Sequence, residues 1–140
     1  MGRDAVADSI DYYIVGLRPV KLVPTADGGL AVVKMDWETG VFEYGMEYLA
    51  RAMSSDPDVD HVSEHEFIQH VEALRSRRLR GDGPIFALYQ TINAIEDAAK
   101  SHGRRLTDEE AALVDELRRQ TYAMFQTAHP DVLTKRRSGA

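Results

Sequence analysis

Leu30-Ala31-Val32-Val33-Lys34-Met35-Asp36-Trp37 is the stretch on which the fold turns. In an extended chain Ala31, Val33, Met35 and Trp37 share one face, while Lys34 and Asp36 share the other. That alternation specifies a half-buried antiparallel strand. Upstream, Asp11-Tyr12-Tyr13-Ile14-Val15-Gly16-Leu17 is rich in β-formers, and the same extended reading continues through Val20-Lys21-Leu22-Val23. Pro19 has no N–H for a ladder, so it marks a kink or an edge. Pro24-Thr25-Ala26-Asp27-Gly28-Gly29 between the two runs is turn chemistry. Downstream, Val41-Phe42-Glu43-Tyr44 reads as a short third strand. Phe42, Met46, Leu49 and Met53 also step along one helical face, but Gly45 disfavours a helix centre, so the helix is expected over about Met46–Met53.

The rest of the chain is helical. Ser63-Glu64-His65-Glu66 is a capping box opening a helix that carries Phe67, Ile68, Val71 and Leu74 as far as about Leu79. Pro84 starts the next, whose Ile85, Leu88, Tyr89, Ile92, Ile95 and Ala99 form the strongest apolar stripe, with Gly103 as its cap. Thr107-Asp108-Glu109-Glu110 is a second capping box, and its helix runs to about Ala128 before His129-Pro130. Strands segregated from helices predict an α+β fold, a small N-terminal antiparallel sheet of two or three strands packed against three to four helices. One domain over residues 1–140 is expected, with flexible ends at about 1–9 and 130–140.

Composition narrows the chemistry. The chain has no cysteine, which removes disulfides, thiolate nucleophiles and cysteine-ligated metals. No apolar run is long enough for a membrane span, and the N-terminus lacks the apolar core of a signal peptide, so a cytoplasmic location is expected. The net charge of −6 is uneven. Residues 1–74 hold five basic and fourteen acidic side chains, whereas residues 75–140 hold twelve basic and nine acidic ones. No phosphate-binding glycine loop and no nucleophile elbow is present.

Asp56–Glu66 is densest in titratable groups, and Asp56, Asp58, Asp60, His61 and His65 are its candidate metal ligands. It completes no known pattern. His65 and His70 sit five apart rather than the four of a zinc-protease helix, so their rings diverge by about 140°. Asp56, Asp58, Asp60 and Glu66 imitate a calcium loop, but the loop is one residue short and lacks its central glycine. Turn-forming aspartates followed by an acidic first helical turn explain the same residues without an ion.

Two other groups stand out. Arg75, Arg77, Arg78 and Arg80 are candidate contacts for an anion or nucleic acid, although a pI of about 5.3 argues against a dedicated nucleic-acid binder. Tyr12, Tyr13 and Trp37 are candidate partner contacts. Adjacent tyrosines on a strand point to opposite faces, so one of them looks outward. The functional expectation is a non-enzymatic protein–protein interaction module of bacterial character, a cytosolic adaptor, inhibitor or immunity-type regulator that needs no cofactor. Its partner is another protein, and a homodimer stays open. The alternatives are a divalent-metal-dependent enzyme or metal-binding domain centred on Asp56–Glu66, and a nucleic-acid accessory protein using the arginine run.

Overall fold

The computed structural model describes residues 9–133. It is α+β, with a five-stranded antiparallel sheet and four α-helices among the described residues. The strands are β1 (Asp11–Val15), β2 (Arg18–Pro24), β3 (Leu30–Met35), β4 (Phe42–Tyr44) and β5 (Val59–Val62), in the order β4-β3-β2-β1-β5. The helices are α1 (Leu49–Ala52), α2 (Glu64–Arg78), α3 (Pro84–Ser101) and α4 (Asp108–Ala128), with a 3₁₀ turn at Met46–Tyr48 before α1. The described residues divide into two compact units, 9–67 with 130–133 and 68–129.

The sheet has more strands than the sequence pattern predicts, for two local reasons. The extended reading from Asp11 to Val23 folds back on itself at Gly16-Leu17. Gly16 adopts φ +65°, the geometry of a two-residue hairpin turn with glycine first, and Val15 pairs with Arg18. Val59–Val62, read from sequence as part of a ligand loop, is instead a strand paired with β1. Its Asp60 and His61 hid it, because neither is a β-former.

Pro19 therefore sits within the sheet but where it does least harm. Val20 pairs with Lys34, so Pro19 stands opposite Met35 where β3 ends. The Val32 carbonyl accepts from Gly45 on the β4 side, so that of Met35, three residues on, faces β2. Pro19 has no N–H to give it, and Arg18 Nη1 donates to the Met35 carbonyl at 2.7 Å instead.

Ala31, Val33 and Met35 are buried on one face as the alternation predicts, but β3 is not half-exposed. Val32 is wholly buried on the other face, in a cluster with Val15, Val20, Leu22 and Ala52 on which Tyr48 and Leu49 pack. The short helix thus covers the part of this face around Val32, which the half-exposed reading of β3 left to water. Trp37 lies past the end of β3, in the turn to β4.

Both capping boxes form. Ser63 Oγ accepts from the Glu66 amide at 3.1 Å while Glu66 Oε1 accepts from the Ser63 amide at 3.2 Å. Thr107 and Glu110 do the same at the start of α4, and Arg104 pairs with Glu110 at 2.8 Å. That guanidinium first, and then the Thr107 amide, lower the Glu110 carboxyl to about 2. In the helical unit Tyr89, Ile92, Val114 and Leu117 form the core. At the chain's end, Asp131 is buried and paired with Lys21 at 3.2 Å, so the backbone is anchored at a point the sequence reading assigned to a flexible tail. The same expectation for residues 1–8 and 134–140 lies outside the described residues.

Candidate functional site

The five candidate metal ligands do not converge. Asp56 accepts from the Asp58 amide at 2.8 Å and pairs with Arg51 at 3.3 Å, an arrangement that lowers its pKa, the Asp58 bond first. Asp60 and His61 are neighbours on β5 and so project from opposite faces. His61 Nε2 lies 3.5 Å from Asp11 Oδ1, and His65 belongs to the first turn of α2. Among the described residues no three His, Asp or Glu side chains are grouped to hold an ion. The spacing in sequence was suggestive because it ignored that a strand runs through the middle of it.

Tyr12 and Tyr13 do take opposite faces. The Tyr12 ring lies 4.8 Å from Phe67 and its hydroxyl donates to Glu64 Oε2 at 3.1 Å. Burial and then the Glu64 charge push its pKa from 10.0 up to about 12. Tyr13 faces the other way and stacks on His61 at 4.7 Å, the residue directly opposite it on β5. Its pKa is raised as well, by burial and then by Asp11. Arg18 lies on this second face, its guanidinium 4.7 Å over the Trp37 ring and 5.7 Å from that of Tyr48. Lys34, on the same face by register, pairs with Glu47 at 2.5 Å. One sheet face thus carries Tyr13 with His61 and Asp11, and Arg18 with Trp37 and Tyr48. Leu17 is 69% exposed in the β1–β2 turn and Met53 is 66% exposed just past α1.

The arginine run does not present one basic surface. Arg75 is fully buried. Its Nη1 donates to Glu72 at 2.8 Å, its Nη2 to Gln126 at 2.9 Å, and its guanidinium carbon lies 3.8 Å over Phe125. Tyr89 closes the network, its hydroxyl donating to Glu72 at 2.9 Å, and burial followed by the Glu72 charge raises its pKa. Arg77 is held by Asp97 at 2.9 Å and Glu96 at 3.3 Å, and Arg80 Nη1 reaches the Arg77 carbonyl. Arg78 lies exposed in the last turn of α2. Arg75, Arg77 and Arg78, spaced two and one apart on α2, spread around its circumference, and Arg80 lies past the helix end, which is why the run splits between core and surface.

Sequence reading missed the Lys21–Asp131 pair and the recess beside it. This recess of about 660 Å³ is lined by Val23, Ala31, Tyr44 and Leu133 together with the paired Lys21 and Asp131. Its walls are chiefly apolar, and its two buried charges neutralise each other. Among the described residues no helix is long and apolar enough to cross a membrane. Compared with protein-family models, with curated proteins and with solved structures, the chain matches none.

Proposed function

We propose that the protein is a non-enzymatic interaction module, a small cytoplasmic adaptor, inhibitor or immunity-type regulator that captures another protein through its sheet unit. The observation that carries this reading is the sheet face bearing Tyr13, His61, Arg18 and Trp37. Tyrosine, tryptophan and arginine are the residues that most often supply binding energy at interfaces, and here they stand on one side of a rigid sheet. Leu17 and Met53 add exposed apolar area in the same unit. The carboxylates of Asp56, Asp58, Asp60 and Glu64 give the unit an acidic field that speeds encounter with a basic partner. A buried polar cluster in the helical unit supports the non-enzymatic part of the reading. Glu72, Arg75, Tyr89 and Gln126 are engaged with one another inside the helical unit.

The test is capture from a lysate of the source cell by the protein and by its Tyr13→Ala and Trp37→Ala variants. A loss of about 1–2 kcal/mol leaves a chain of ordinary stability folded, so capture reports on the surface alone. The expected result is a partner held by the parent and lost about tenfold or more in both variants, with cooperative unfolding retained. Capture that persists in both variants would remove this face as the docking site.

A further inference from the structure

Among the described residues, strand β5 stands at the end of the sheet and pairs only with β1. Which of its main-chain groups point outward follows from one hydrogen bond. The Asp58 carbonyl accepts from the Gly16 amide at 2.8 Å, so Asp58, Asp60 and Val62 turn their backbone groups toward β1, and Val59 and His61 turn theirs away. The Val59 amide is taken by the Asp56 carbonyl at 3.0 Å, and the Ser63 amide by Glu66. Between these two stops lie the Val59 carbonyl and both the amide and the carbonyl of His61. Among the described residues no group bonds any of the three, and Asp60 and His61 are exposed.

An open edge of this kind is a template for another strand, and proteins guard such edges with charge. Here the guard has a single sign. From residue 52 to residue 74 the sequence contains no lysine or arginine, and Asp58, Asp60, Glu64 and Glu66 are all exposed. A second copy of the chain would bring these carboxylates against their own kind. A cationic strand meets attraction along the same row.

We propose that an extended, lysine- or arginine-bearing segment of a partner protein adds to the sheet along β5 as a sixth strand. This rests on the interaction-module reading above and names the partner's chemistry. The incoming residue opposite His61 exchanges two hydrogen bonds with it, and a third bond reaches the Val59 carbonyl. Its neighbours in the incoming strand project to the face of Asp60, where the Cβ of a basic residue stands about 5 Å from that of Asp60 and the two charges can pair.

The probe is a capped peptide of about ten residues alternating lysine and valine. Its controls are the glutamate–valine counterpart and the same lysine peptide N-methylated on alternate residues, which keeps the charge and removes edge donors. Binding is followed by exchange of the His61 backbone amide in nitrogen-15 NMR. The expected result is about tenfold or greater protection of that amide by the lysine peptide and no binding of the glutamate peptide. Affinity for the methylated peptide, and for the lysine peptide in Asp60→Lys, should fall by about tenfold or more. Unchanged exchange at His61, or equal binding of the methylated peptide, would overturn the proposal. A lysate partner lost in Trp37→Ala but kept in Asp60→Lys removes the sixth strand and leaves the module reading standing. A partner kept in Asp60→Lys and in both Tyr13→Ala and Trp37→Ala removes both.

Discussion

The guanidinium of Arg75 lies 3.8 Å over the ring of Phe125, with both residues buried and fifty positions apart in the chain. An arginine in such a place needs partners for its donors as well as for its flat face. Glu72 and Gln126 supply them, and Tyr89 satisfies the second oxygen of Glu72. The four side chains thus form one linked network, and its energetics depend on keeping it whole.

Arg75→Met should cost about 3–5 kcal/mol, because it leaves the Glu72 carboxylate buried without a counter-charge. Glu72→Gln added to Arg75→Met should recover part of that loss, since the amide carries no charge and still accepts from Tyr89. Urea unfolding followed by circular dichroism checks the order. A double variant no more stable than the single one would mean that the buried charge is not what the substitution exposes.

Addition of calcium, magnesium, manganese or zinc should leave the melting temperature within about 1 °C, as the candidate ligands Asp56, Asp58, Asp60, His61 and His65 are spread over a turn, two faces of a strand and a helix. An ion bound at a hundred times its dissociation constant would add about 2.7 kcal/mol to stability, well above detection. Such a rise would reinstate the metal-dependent alternative.

How far the sequence discloses this molecule depends on the distance over which each interaction acts. The capping boxes at Ser63 and Thr107 are complete within four residues, and both form. The opposed faces of Tyr12 and Tyr13 need only the period of a strand. The burial of Arg75 was also legible. It continues the spacing of four set by Phe67 and Val71, both buried, and Glu72 precedes it by three. Counting it among neighbouring arginines obscured that register. The hairpin at Gly16 rested on a single φ angle, and without it two strands read as one. Strand β5 carries only one valine on each face, beside Asp60 or His61, and is recognisable as a strand chiefly through its ladder with β1, a contact made across some fifty residues. Lys21 and Asp131 are 110 positions apart, and nothing local to either announces the other.

The Tyr12 hydroxyl ties β1 to the first turn of α2 through Glu64, and this contact has a signature in alkali. Its pKa is pushed from 10.0 up to about 12, by burial first and then by the Glu64 charge. A phenol whose pKa is higher in the folded chain holds its proton more tightly there. The resulting stabilisation is whole below the unfolded value and drains away as pH rises through the folded one. Tyr12→Phe removes this contribution and leaves that of Tyr13, whose pKa is also raised. The stability difference between the parent and Tyr12→Phe should therefore shift against the parent between about pH 10 and about pH 12, measured from urea midpoints. Glu64→Gln should lower the Tyr12 pKa but leave it above that of a free phenol, because burial is the larger cause. A difference that holds constant over that interval would mean that the hydroxyl titrates as it does in water, and that the link between β1 and α2 is carried by the Tyr12–Phe67 ring contact alone.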